Sequence, residues 1–197
     1  MVEGVSLGSE RRAQGSFASD GKPRSTLGPF VLGVDLSSHR IDFAKVDENE
    51  NKVIWSRCHL DGKTAWDRTL TIGNLRSDGV TFDDVYLVAV EAPYGRGLAG
   101  TQAILNRVVG AVAAVLPPRL RTPSTCWIVR PDEWKRGLGL KAKPTADDIA
   151  RLLEPAQGRI PDDQNARDAA CLALWARDVN AQGIAAALNP PTERTAA

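Results

Sequence analysis

The chain has 197 residues, with 25 Lys and Arg against 24 Asp and Glu, giving a formal charge of +1. That length suits one domain with tails. The near-neutral total excludes a chain drawn to nucleic acid by net charge alone, so such a role has to come from how charge is distributed.

Residues 1–27 are rich in Gly, Ser and Arg and lack periodicity, so they read as a disordered tail before a domain spanning 28–182. FVLGVDLS (30–37) is an apolar run ending in a carboxylate, as expected of a central strand. HRIDFAKVD (39–47) and KVIWSRCHL (52–60) follow across a polar turn and predict an antiparallel meander. A helix is predicted from Thr64 to Leu75, opened by a T-x-x-D capping form. VYLVAVEAP (85–93) reads as a strand buried on both faces. A long apolar helix is predicted from Leu98 to Leu116, stopped by Pro117 and Pro118. CWIVRP (126–131) reads as a short buried strand, and Thr145 opens a helix through Leu153. The last helix is expected from Asp162, after Pro161, to Asn180, and residues 183–197 are read as a flexible tail. The sum is an α/β fold: a mixed five-stranded sheet, three antiparallel strands then parallel ones, flanked by helices. No run approaches the ~18 apolar residues of a membrane span, and no signal-type segment opens the chain, so a soluble, cytoplasmic protein is expected.

Three carboxylates stand out against this background. Asp35 ends GVDLS and Glu91 ends VAVEAP, both otherwise apolar. Asp168 has Leu172 and Trp175 at i+4 and i+7, which puts it on the core-facing stripe of the last helix. Burying unpaired carboxylates is costly, and a divalent cation is a direct compensation. Magnesium takes oxygen ligands and keeps several waters, so a few convergent acids suffice. Zinc is poorly supplied, with only His39 and His59 as imidazoles and Cys58, Cys126 and Cys171 widely spaced. Each acid also has a plainer explanation: a helix-dipole position for Asp168, a turn at the strand exit for Asp35, and a structural contact for Glu91.

The neutral total hides a local excess. Between 119 and 143 stand Arg119, Arg121, Arg130, Lys135, Arg136, Lys141 and Lys143, against Asp132 and Glu133. Trp134 lies among them, and Gly137 and Gly139 permit close backbone approach. Such a stretch suits a surface that tracks a phosphate backbone with one stacking contact. It equally suits a solvated loop with Trp134 packed inward. Tyr94 and Arg96, just after Glu91, stand where substrate could be met.

Taken together and in order, these segments resemble the RuvC-type Holliday-junction resolvases of the RNase H-like nuclease superfamily, in a diverged, phage-type form. GVDLS resembles the family's first strand and VAVEAPYGRG its fourth. NRVVGAVAAVL is similar to the helix that follows, WKRGLGLKAK (134–143) to a basic, Gly-rich segment ending in a functional lysine, and NARDAACLALWA to the final helix. The match runs from about Pro29 to Asn180. The resemblance implies an RNase H-like fold and metal ligation by Asp35, Glu91 and Asp168. It assigns Lys143 to the charge on the scissile phosphate. Asn165 stands where the family commonly has a fourth acid, and it could offer only a carbonyl oxygen.

The implied cofactor is Mg2+, with Mn2+ as a substitute and two ions in the site. The implied activity is paired nicking of branched DNA in recombination and repair. Arg130, Trp134, Lys135, Arg136, Lys141, Tyr94 and Arg96 are the expected substrate contacts. A two-fold symmetric substrate implies a homodimer, with the Leu98–Leu116 helix as a candidate interface, and host branch-migration proteins as further partners. Two other functions remain open: an RNA-processing nuclease of the YqgF type on the same fold, and a non-catalytic junction-binding protein, which Asn165 favours. An actin-like ATPase also begins with a strand ending in D-x-[GS], but no second phosphate loop accompanies it here.

Overall fold

The computed structural model describes residues 28–37, 39–49, 52–73, 81–93, 99–155 and 163–188. The N-terminal tail, residues beyond 188, Tyr94, Arg96 and Asp162 lie outside them.

Strands β1 (Phe30–Leu36), β2 (Arg40–Asp47) and β3 (Val53–His59) form the expected antiparallel meander. Ser37 tightens the first hairpin: its hydroxyl accepts the Arg40 N–H at 3.1 Å and donates to the Arg40 carbonyl at 3.0 Å. This turn pins a register in which Asp35 lies directly opposite Asp42. Strands β4 (Val85–Glu91) and β5 (Cys126–Val129) add in parallel, giving the order β3-β2-β1-β4-β5. Parallel neighbours need long crossovers. Helix α1 (Ala65–Ile72) lies on the path from β3 to β4, and α2 (Ala99–Val115) on the path from β4 to β5. The architecture is the expected mixed five-stranded sheet flanked by helices.

Side chains alternate along each strand, so the sheet has two buried faces. Leu32, Val34, Ile41, Phe43, Val88 and Val90 pack with Ile72 of α1 and with Val108, Val112 and Leu116 of α2. Val31, Ala44, Val46, Leu87 and Ala89 pack on the opposite side against Ala169, Leu172, Ala173 and Trp175 of the last helix, α5 (Gln164–Leu188). Small residues decide how closely α5 sits. Ala44, Gly33 and Ala89 are register partners across the middle of the sheet. A Cβ on Gly33 would fall 2.0 Å from the Ala169 carbonyl oxygen and 2.8 Å from the Ala173 nitrogen. The helix backbone therefore rests on the β1 backbone.

Two elements differ from expectation. The basic segment after β5 is not a loop: Pro131–Gly137 forms helix α3, with Pro at its first position, Asp132 and Glu133 in the first turn and Lys135 and Arg136 in the last. Those are favoured helix-end positions, and Gly139 at φ 71° follows its end. Second, α5 continues to Leu188 rather than ending at Asn180, so 183–188 belong to the helix and not to a tail. The segment AQGIAAAL is rich in strong helix formers, and a single Gly183 costs only about 1 kcal/mol relative to Ala. Helix α4 (Ala146–Leu153) begins at the expected capping box on Thr145. Among the described residues no helix is long and apolar enough to cross a membrane.

Candidate active site

Strands β1, β4 and β5 point their C-terminal ends the same way, and the sequence ends two of them in acids. The β1–β4 register pairs Val34 with Val90, so the next step sets Asp35 beside Glu91. Asp35 is buried, and Glu91 is partly buried. Asp168, the fifth residue of α5, is also buried, above the same end of the sheet. It lies beyond the first turn, so a helix-dipole position does not account for it.

The carboxylates feel one another. Burial, then the negative charges of Glu91, Asp168 and Asp42, pushes the Asp35 carboxyl well above the usual range, against a backbone hydrogen bond at Leu36. Glu91 is raised by burial first and by Asp168, while the Trp134 hydrogen bond and Lys135 act the other way. Asp168 is raised by burial, opposed by Lys135 and Gln164.

Several neighbours hold these acids in place. Lys135 on α3 brings its ammonium 3.9 Å from Asp168 and 4.9 Å from the centre of the Trp134 ring. Gln164 donates its amide N–H to Asp168 at 2.6 Å. Trp134 is fully buried, and its Nε1–H donates to Glu91 Oε2 at 2.9 Å. Of the two readings of Trp134, a stacking contact or a residue packed inward, its burial selects the second, and the indole reaches Glu91 from within the core.

A second group, not singled out from sequence, adjoins the first. Asp42 is completely buried. It accepts a hydrogen bond from Arg57 Nε at 2.8 Å and pairs with Arg40 Nε at 3.1 Å. Both arginines also reach Asp163, at 2.7 Å from Arg40 and 3.2 Å from Arg57. Asp163 in turn accepts the backbone N–H of Asn165 at 3.0 Å and of Ala166 at 3.4 Å, capping α5. The four charges thus tie β2 and β3 to the start of the helix that carries Asp168. The sequence signal was Asp42 itself, a carboxylate between the apolar residues of RIDFAKVD; its partners Arg40 and Arg57 stand 2 and 15 positions away, and the second acid they share, Asp163, lies on a distant helix end. Asp163 is committed to this cluster.

The other expected residues are dispersed. Asn165 is partly exposed, one turn before Asp168. Arg130 binds Asp132 through Nε at 2.9 Å and through a terminal nitrogen, and Arg136 lies 3.7 Å from the same acid; all are on the outer side of α3. Lys141 and Lys143 are exposed between α3 and α4; the Thr145 hydrogen bonds hold the Asp148 carboxyl low, with smaller contributions from the Arg151 and Lys141 charges. Arg121, counted in the basic excess, spends its Nε on the Leu116 carbonyl at 2.6 Å. Lys135, expected as a substrate contact, stands beside Asp168.

Among the described residues, no three His, Cys, Asp or Glu side chains are gathered tightly enough to enclose a metal ion as they stand. The donor set nonetheless fits one. It consists of hard carboxylate oxygens, converging at one sheet end, in excess of the positive charge beside them.

No family model matches the chain, and no curated protein matches it in sequence. Solved structures do match. RuvC of Thermus thermophilus aligns at 16% identity over 78% of this chain and 96% of its own, with a TM-score of 0.57. The same protein in complex with a Holliday junction substrate aligns at 17% identity, over 77% and 95%, with a TM-score of 0.58. The yeast mitochondrial Holliday junction resolvase Ydc2 aligns at 15% identity, over 81% and 82%, with a TM-score of 0.54. The chain has the RNase H-like fold of the RuvC-type resolvases.

Proposed function

We propose that this protein is a magnesium-dependent, structure-selective endodeoxyribonuclease that resolves four-way DNA junctions by paired nicks in recombination and repair. The observation that carries the reading is the meeting of Asp35, Glu91 and Asp168 at one end of the sheet, with Lys135 as the cation beside them. Buried acids in this number need a compensating cation, and Mg2+ or Mn2+ suits oxygen donors. Such ions supply water activation and stabilisation of the leaving oxygen at a phosphodiester. Asp35, Glu91 and Asp168 would hold them, with the Asn165 carbonyl oxygen as a weaker fourth donor.

Lys135 offsets the negative charge that substrate phosphate adds to the acids. Lys143 is proposed, on the resemblance, to meet the scissile phosphate from the exposed segment after α3. Arg130, Arg136 and Lys141 fit phosphates farther along an arm, where contacts position DNA without reading sequence. The fold's likeness to a RuvC bound to a Holliday junction supports branched DNA as substrate. Two symmetric nicks require two sites related by a two-fold axis, so the active form is proposed to be a homodimer. One observation favours a second reading: Asn165 replaces a fourth acid, which suits a protein that binds junctions without cutting them.

The test is cleavage of a labelled synthetic four-way junction beside linear duplex and an RNA–DNA hybrid, with and without magnesium. Paired nicks on the junction alone, lost in Asp35→Asn, are expected. Cutting of the hybrid instead moves the function to RNA processing, and tight binding without cutting selects the second reading.

A further inference from the structure

We propose that Trp134 is a positioning residue for the metal site, its indole N–H holding one oxygen of Glu91 so that the carboxylate is pre-set to ligate a divalent cation. The inference rests on the proposed metal-binding role of Glu91. Glu91 closes a strand with three torsions of its own, and a carboxylate so placed among other acids is driven away from them unless something fixes it. Trp134 does so from a completely buried position, through a 2.9 Å hydrogen bond to Oε2. An indole has a single N–H and no acceptor. It therefore marks out Oε2 as the anchored oxygen and gives Oε1 the larger share of the ligation.

The packing makes the anchor stiff. Trp134 belongs to the core cluster with Leu172, Ala173 and Val129, and the Lys135 ammonium sits over its ring at 4.9 Å. Lys135 at the same time faces Asp168. Consecutive residues of one short helix thus reach two of the three acids, one by a hydrogen bond and one by charge. An apolar side chain of equal size at 134 would fill the core as well. A buried indole N–H needs some acceptor, and what packing alone does not dictate is that the acceptor is a site carboxylate, Glu91, rather than a backbone carbonyl.

The test is calorimetric titration of the full-length chain with Mn2+, beside the magnesium dependence of junction cleavage, for wild type, Trp134→Phe and Glu91→Gln. Phe keeps an aromatic ring, though a smaller one, and removes the donor. Outer-shell partners of ligands typically contribute about 10–100-fold in metal affinity or activity. Trp134→Phe is accordingly expected to weaken Mn2+ binding about 10-fold, to raise the magnesium concentration needed for half-maximal cleavage in step, and to recover most activity at saturating metal. Should Trp134→Phe fold poorly, the indole N–H resonances of 15N-labelled wild type give a second readout. The Trp134 signal is expected to move on Mn2+-free magnesium addition in wild type and to stay in place in Glu91→Gln.

Equal metal affinity in wild type and Trp134→Phe overturns the inference, as does metal binding that survives Glu91→Gln unchanged. A wild type that cuts no junction, yet loses metal affinity on Trp134→Phe, sinks the nuclease reading and leaves the positioning role standing.

Discussion

Replacing Asp35 by Asn should stabilise the metal-free protein while abolishing cleavage. The side chain is 7% exposed and sits one strand from Glu91. Neighbouring strands are about 4.8 Å apart, so two ionised carboxyls there lie roughly 5–6 Å from each other. At an effective dielectric near 20 that repulsion is about 3 kcal/mol. The Asp42 charge is already matched by Arg57 and Arg40, and Lys135 offsets part of Asp168, so the net relief on removing Asp35 is about 1–3 kcal/mol. Asn keeps the shape and an acceptor for the Leu36 N–H. At about 2–4 °C per kcal/mol for a chain of this size, the Tm should rise by roughly 2–12 °C in chelator at pH 8.

The sign with pH follows from the direction of the shift. Asp35 and Glu91 are raised, so the folded state holds their protons more tightly than the unfolded chain does. Their contribution is favourable in acid and is lost as pH climbs through the folded values. The Asn variant's advantage should therefore shrink as pH falls. Magnesium should also narrow the gap, since it stabilises wild type by binding the folded state. Differential scanning calorimetry at pH 8 and pH 5.5, with chelator and with magnesium, reads all three. An Asp35→Asn protein with an unchanged or lower Tm in chelator at pH 8 would refute the reasoning.

Three further outcomes follow from other contacts. Arg57→Ala leaves the fully buried Asp42 with one partner and should cost about 2–4 kcal/mol by urea unfolding, whereas Arg136→Ala, at an exposed pair, should cost well under about 1 kcal/mol. Gly33→Ala puts a methyl group 2.0 Å from the Ala169 carbonyl, and lifting α5 should lower stability by about 3 kcal/mol or more; a native Tm would show that the helix seat is looser than it looks. Lys135→Met should reduce cleavage more than Lys143→Met, because Lys135 stands 3.9 Å from Asp168 while Lys143 is exposed between α3 and α4; an equal or larger loss in Lys143→Met, measured at one magnesium concentration, would refute that ranking.

The strands, the burial of the central ones on both faces, and the end of the sheet where acids collect were all legible in the sequence, because apolar runs and capping forms are local properties of short segments. Asp35 and Glu91 could be singled out since each interrupts an apolar run that has no other use for a charge, and Asp168 because helical periodicity puts it on the core side. Only the tertiary structure decided the surroundings. A tryptophan among basic residues reads from sequence either as a surface for DNA or as a residue packed inward, and α3 turns Trp134 inward to Glu91 while carrying Lys135 to Asp168. Asp42 gains its Arg57 partner only when β2 and β3 pair, and the two arginines reach Asp163 only when the start of α5 docks beside them. Trp134 meets Glu91 across 43 positions and Arg40 meets Asp163 across 123, and such contacts depend on burial and docking that local spacing does not encode.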